Sequence, residues 1–564
     1  MGKWQIHLYL TLLAAVILLP GLGIVPLFDW DELSFAEAAR EMWLTKNWLY
    51  VQIGFEPFWE KPPLFIAIQS LCSGFLGDHT WVYRLPNAVA GIVAINFCFH
   101  VGETLGRRAL GIFWALAMLT SFGPLIYWKS GIIDPVFNLF IILSLWHWYK
   151  IGRSEIDGER SNIHYLLSGL FMGLAILTKG QTALMLFTII VGFITLYRGR
   201  WQDILTPRIF IFALPILLLV GGWVALVYEK MGDQFFVSFI HYQMDLVKGS
   251  YADWHTQPWF YHIVVLLFIG FPASPLAIKY LVRKGEEDFS IESWHFLMRV
   301  IFWVVLIVFS IVSTKIIHYS SLCWWPITYF GAYHTYMLHT NRSETTALQK
   351  TWLIITSLVW VAVMLGLGAV LAGWKIPAAT FAKFDLYTKS ILGGITPGNY
   401  WVLIPALIAA IGLISWLARA ILQPQFHTGT LFLWSGAMAV TTYFFLLPAA
   451  ADILQNPLAM YIIKNKDKGE IIESQGFRTH TINYYGKLTP KDYQGEWLES
   501  PMVKEKIAHH PYPMEEARKV WVRDGQPKQT AKLITKNTYK PDEYFLYQFN
   551  KVDSFSGYWV WKRK

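Results

Sequence analysis

Charge is scarce in this chain: Asp, Glu, Lys and Arg supply 15% of its 564 residues, against roughly 25% in soluble proteins. That shortage excludes a solvated cytosolic enzyme and a disordered tail protein. Cysteine is scarcer still. Cys72, Cys98 and Cys323 lie in or beside apolar stretches without disulfide or metal-ligand spacing, which excludes a disulfide scaffold and leaves them as packing residues. No low-complexity tract, internal repeat or long disordered linker interrupts the chain, and the inverted-repeat symmetry of many transporters is not visible. Nor is there a basic cluster. The net charge of +9 comes from residues scattered between apolar segments, so nucleic acid is not a partner and membrane topology with anionic lipid is the better explanation.

What is abundant is apolar: 55% of residues are hydrophobic and mean hydropathy is +0.38. At about 20 apolar residues per crossing, thirteen segments qualify, near 6–27, 85–104, 109–128, 135–149, 163–178, 182–197, 209–228, 259–281, 299–317, 321–338, 352–373, 399–421 and 429–448. The expected fold class is therefore an α-helical polytopic membrane protein of about thirteen spans over residues 1–449, including an outward loop at 28–84. Residues 450–564 are polar and lysine-rich, with strand-like runs at Glu470–Ile472, Tyr544–Phe549 and Tyr558–Trp561. They predict a small extracytoplasmic α/β domain. Arg107/Arg108, Lys150/Arg153/Arg160, Arg198/Arg200, Arg283/Lys284, Arg342/Lys350 and Arg419 all fall on one side of the thirteen-span order, which marks that side as cytoplasmic. The N-terminus is then inside and the C-terminal region outside.

The outward loops hold the candidate chemistry. In FDWDELSFAEAAREMW, Asp29 and Glu32 are spaced like a capping box, and acidic residues such as Asp31 and Glu32 suit any helix first turn. Further along, Trp59-Glu60-Lys61-Pro62-Pro63 puts an acid and a base on a proline-stiffened turn. Asp134-Pro135 is an ordinary helix start that can be both cap and site. Lysines at helix ends commonly snorkel. Lys61, Lys179 and Lys315, however, all emerge on the face opposite the one that the positive-inside rule favours, which points to an anionic ligand there. Several such cations would make a phosphate cradle. His241 and Glu60 are the two candidate metal ligands, too few and without the spacing that defines a site; a divalent metal is the cofactor left open.

Taken in order, these landmarks resemble those of membrane glycosyltransferases that use polyprenyl-phosphate sugars, the C-type fold group of protein O-mannosyltransferases and ArnT-like aminoarabinose transferases. The resemblance covers about the first 330 residues. It rests on Asp31-Glu32 followed by Phe35-Ala36-Glu37-Ala38-Ala39-Arg40-Glu41-Met42, then Glu60-Lys61-Pro62, Asp134-Pro135, Thr178-Lys179-Gly180, His241 with Gln243, Pro258-Trp259, and Lys315 with Tyr319. Trp30 departs from a common proline, and Met244 from an arginine frequent in the aminoarabinose branch. The resemblance implies a spanning bundle with an outer soluble domain, a lipid-phosphate sugar donor, a lipid A-like or protein acceptor, and inversion at the anomeric carbon. It further implies residence in a bacterial inner membrane with the site facing the periplasm or cell exterior. On this reading Asp31, Glu32 and Asp134 are the catalytic carboxylates, with Asp31 as general base toward a hydroxyl acceptor. Lys61, Lys179, Lys315 and Arg84 receive the donor phosphate, and Glu60, His241, Gln243 and Tyr319 contact substrate. The alternative is a transporter of a glycolipid or other anionic substrate.

Overall fold

Long helices form wherever the apolar runs are uninterrupted, and breaks fall at glycine, proline and polar clusters. The computed structural model describes residues 2–29, 31–157, 161–248, 257–282, 289–422, 428–493, 495–508, 513–525 and 527–564. Among the described residues, seven helices are long and apolar enough to cross a membrane: Thr80–Thr104, Ser161–Lys179, Ile209–Met231, Glu292–Ile311, Ala347–Leu371, Tyr400–Arg419 and Thr428–Leu454. Arg108–Thr120 and Phe122–Trp128 make an eighth if the pair, bent by 69°, counts as one span.

The expectation of thirteen spans is thus overturned, and each of the five lost has a physical reason. The 6–27 run is helical only over Lys3–Leu18 and ends before Pro20 and Gly21. The 182–197 and 321–338 runs form helices of 17 and 16 residues, about 25 Å long at 1.5 Å per residue and short of the hydrocarbon thickness. The 259–281 run splits into Tyr261–Ile269 and Ala273–Val282. Helix Asp134–Asp157 is long enough, but it spends positions on polar contacts: Asn138 donates to Ser321 Oγ at 2.8 Å and Ser144 to the Ser168 carbonyl at 2.8 Å. A window count of apolar residues cannot separate a lipid-crossing helix from one buried inside the bundle.

The bundle packs closely through small residues. A Cβ on Gly102 would lie 2.2 Å from the Gly111 Cα, so helices Thr80–Thr104 and Arg108–Thr120 approach backbone to backbone, the usual device for helix association in lipid. Around them Trp114, Trp146, Trp294, Trp325 and Tyr329 meet largely edge to face, and Trp114 donates to Thr328 Oγ1 at 3.2 Å. Leu214, Leu217 and Leu218 on Ile209–Met231 remain exposed, as a lipid-facing surface requires.

The C-terminal region builds a four-stranded sheet in the order β3-β4-β6-β5, after the short β1 (Gln52–Ile53) and β2 (Glu56–Pro57) of the first loop. Its strands are β3 (Ile471–Ser474), β4 (Ala531–Lys536), β5 (Phe549–Phe555) and β6 (Tyr558–Arg563). β3 and β4 run parallel across a helical connection, β4 pairs antiparallel with β6, with Leu533 opposite Trp561, and the β5–β6 hairpin is antiparallel. Residues 544–548, read from sequence as strand, are helical (Glu543–Gln548) because Asp542 caps the turn by accepting from the Phe545 N–H at 2.7 Å.

This region is docked on the first loop. Asp29 accepts from Thr479 Oγ1 and from the His480 N–H at 3.1 Å, and Arg40 donates to the Leu488 carbonyl at 2.7 Å. Lys487 pairs with Asp78 at 2.6 Å, and Glu56 accepts the N–H groups of Met514 and Glu515 that open helix Pro513–Asp524. The two regions therefore share one side of the membrane, which demands an even number of crossings between them.

Candidate active site

Four element ends converge beneath that docked surface. Asp31 is the first residue of helix Asp31–Thr45, and Asp134 the first of Asp134–Asp157. Lys179 is the last residue of Ser161–Lys179, stopped by Gly180 at φ +80°, a left-handed conformation that glycine adopts without strain. His318 and Tyr319 lie on the 3-10 turn Ile317–Cys323.

Lys179 Nζ stands 2.5 Å from Asp134 Oδ1, with the Tyr319 ring centroid 5.2 Å away. Asp134 is 2% exposed, and its other oxygen, Oδ2, has no hydrogen-bond partner among the described residues. His318 Nε2 lies 3.7 Å from that oxygen and 3.4 Å from Asp31 Oδ2. The Asp31 side chain is 44% exposed, so one imidazole links a buried ion pair to an accessible carboxylate. The sequence reading assigned no role to His318. Its signal was position, one residue before Tyr319 in a polar break between two apolar runs.

Glu32 and Arg84, expected to react with or bind substrate, are consumed by each other. Arg84 Nε and Nη2 donate to the two Glu32 oxygens at 2.9 and 2.7 Å, and the remaining donors go to the carbonyls of Leu22, Val25 and Pro26. A guanidinium has five N–H groups, and these bonds use all of them. Glu32 also accepts from the N–H groups of Phe28 and Gly131. Burial works to raise its carboxyl, but the Arg84 charge and these donors outweigh burial and hold it below the ordinary carboxylate range. The pair ties the first loop to helix Thr80–Thr104 and to the turn before Asp134.

Lys129, also unassigned from sequence, is 1% exposed and donates to the carbonyls of Ile17, Leu18 and Pro20 at 3.2, 2.9 and 2.7 Å. It caps the C-terminal end of helix Lys3–Leu18, where carbonyls lack partners within the helix. Burial, with the Arg84 charge, brings its ammonium down to about 8.

Asp31 and His318 open onto a cavity of about 270 Å³ lined by Val25, Phe28, Tyr127, Ile132, Tyr443 and Leu447, with Arg84 and Lys129 also in its lining. Lys61 Nζ is 3.7 Å from Glu60, whose charge reaches Tyr319. Lys315 is buried and donates to the Val312 carbonyl at 2.7 Å. His241 is exposed on helix Gln234–Lys248, and the Gln243 side chain lies outside the described residues. Among the described residues, no group of three or more His, Cys, Asp or Glu side chains is placed to hold a metal ion.

Residues 60–225 match the family described as dolichyl-phosphate-mannose-protein mannosyltransferase. The undecaprenyl phosphate-alpha-4-amino-4-deoxy-L-arabinose arabinosyl transferase 1 of Proteus mirabilis is 24% identical over 67% of this chain and 66% of its own length. Its counterpart in Aeromonas salmonicida is 26% identical over 62% of this chain and 63% of that protein. The matched stretch thus spans a little under two thirds of these curated relatives. The crystal structure of ArnT from Cupriavidus metallidurans bound to undecaprenyl phosphate superposes with a TM-score of 0.70 at 16% identity, covering 98% of this chain and 97% of that one.

Proposed function

This chain is related to the polytopic membrane glycosyltransferases of the ArnT and protein mannosyltransferase kind and has their fold, and on that premise we propose that it moves a sugar from a polyprenyl-phosphate donor to an extracytoplasmic acceptor in a bacterial inner membrane. The observation that carries the reading is the bridge at His318, which sets accessible Asp31 within one side chain of the buried Asp134–Lys179 pair.

The two halves suit the two ends of a displacement. Lys179 has three N–H donors, of which Asp134 takes one; the others receive the donor phosphate, with Lys61 adding charge from the Trp59–Pro63 turn. Asp134 fixes the ammonium in place. Tyr319, over which Lys179 lies, walls the phosphate from lipid. As the bond between the anomeric carbon and phosphate breaks, these cations stabilise the leaving dianion. Asp31, on the far side of His318, takes the proton of an acceptor hydroxyl. Arg84 and Glu32 hold the loop that carries Asp31, and neither reacts. The donor's polyprenyl tail stays in lipid.

Asp31→Asn tests this assignment. Transfer by the purified full chain in liposomes should fall by about 10² to 10⁴-fold while insertion and thermal unfolding stay as in the wild type, since the side chain is half exposed. Near-wild-type transfer would remove Asp31 from the chemistry.

A further inference from the structure

The cavity beside Asp31 bears on which acceptor the proposed transferase uses. Beside the His318 imidazole, which is set between Asp31 and Asp134, Arg84 and Lys129 line it, and neither is available to a ligand. Arg84 spends all five donors on Glu32 and three carbonyls. Lys129 gives its three to Ile17, Leu18 and Pro20, and burial lowers its affinity for a proton. The acidic lining residues are Asp29, Asp31 and Glu32; Arg84 pairs with Glu32, Thr479 and the His480 N–H donate to Asp29, and Asp31 faces His318. None of Lys61, Lys179 and Lys315 lines the cavity. A phosphate entering here would meet carboxylates in a low-dielectric pocket with, among the described residues, no free ammonium in its lining to offset its desolvation.

The remaining wall is aromatic and aliphatic, with Phe28, Tyr127 and Tyr443 facing Ile132 and Leu447. Such faces suit the C–H surface of a sugar ring, and about 270 Å³ is below the usual range for drug-sized ligands, roughly 300 to 1,000 Å³. It holds about one ring and no length of polypeptide. Its place on the Asp31 side, with none of Lys61, Lys179 and Lys315 in its lining, is also where an attacking group must stand if the phosphate leaves opposite to it.

We infer that this cavity is the acceptor subsite and that the acceptor is a hydroxyl on an uncharged sugar ring of a membrane or envelope glycan, not a phosphate group and not a protein side chain. This rests on the glycosyltransferase reading above. The acceptor oxygen bonds to the anomeric carbon, the bond from that carbon to the phosphate oxygen breaks, the hydroxyl proton passes to Asp31, and polyprenyl phosphate leaves with the electron pair. A hydroxyl needs that base; an ionised phosphate acceptor would not. Asp31 beside a phosphate-free pocket is thus consistent on both counts.

The experiment mixes full-length protein in liposomes with ¹³C-labelled polyprenyl-phosphate sugars extracted from a strain lacking this chain, together with the unlabelled envelope of the same strain. Polyprenyl phosphate release and the fate of the label are both followed. Labelled sugar on a glycan, stable to mild acid, is the expected product. Label freed by mild acid marks a glycosyl phosphate and overturns the acceptor assignment while leaving the transferase reading intact, as does label in protein. No release of polyprenyl phosphate overturns both. Leu447→Trp and Ile126→Trp, at two residues that line the cavity, should raise the acceptor KM on the order of 10-fold with undecaprenyl phosphate binding unchanged. Unchanged acceptor KM in both variants that retain such binding refutes the placement.

Discussion

Replacing Lys179 by Met strands a carboxylate. Asp134 is 2% exposed, Lys179 is its 2.5 Å partner, and its second oxygen has no hydrogen-bond partner among the described residues. With charge centres about 4 Å apart, the attraction is about 4 kcal/mol at an effective dielectric of 20. Desolvation of both ions opposes most of that in the intact pair, but removing one partner leaves the penalty on the other, about 3 to 5 kcal/mol. Lys179→Met should therefore unfold earlier in mixed micelles by that amount. Asp134→Asn together with Lys179→Met removes both charges of this pair and should recover about 0.5 to 3 kcal/mol, the usual coupling of contacting residues. Activity should separate from stability in the double variant. A lost hydrogen bond to a charged group costs about 1.5 to 3 kcal/mol, so polyprenyl phosphate release should stay roughly 10- to 150-fold slow although the fold is restored. Full turnover in the double variant would make the pair scaffold and send the donor phosphate elsewhere; an undiminished stability of Lys179→Met would refute the energetic reasoning.

Arg84→Met should cost about 3 to 5 kcal/mol of stability by leaving Glu32 buried and charged, and a variant that unfolds normally but binds polyprenyl phosphate poorly would return Arg84 to the phosphate site. Because Glu32 is held low in the fold, its contribution is present at neutral pH and is lost as pH falls through that depressed value; acid titration of the Glu32→Gln protein should show a shallower loss than wild type. Glu56 behaves oppositely: burial, reinforced by Glu515, raises it to about 7 despite the N–H groups of Met514 and Glu515 and the charge of Arg478. The folded chain holds that proton more tightly than the unfolded one, so the stabilisation is full below about pH 4.5 and is lost as pH rises through 7, on the order of 3 kcal/mol. Limited proteolysis should find the C-terminal region released more readily at pH 8 than at pH 5, and Glu56→Gln should flatten that difference.

Composition and order along the chain were enough to establish a polytopic membrane protein, an acidic first outward loop and a polar C-terminal region with strands, because hydropathy and residue type are local quantities. Asp31, Asp134, Lys179 and Tyr319 could be picked out for the same reason: charge or hydroxyl at the end of an apolar run costs too much to be incidental. The number of spans was not local. Asn138 and Ser144 sit in a run that reads as lipid-crossing and are satisfied only by Ser321 and Ser168 on other helices. Roles within the site were likewise decided by the fold. Arg84 and Lys179 look alike in sequence, each a cation near an outward loop, yet one finds five internal acceptors and the other a single carboxylate. His318 gained its place between Asp31 and Asp134, which lie 103 residues apart in the numbering, only when the bundle closed, because partnership between side chains is set by which surfaces meet in space and not by their spacing along the chain.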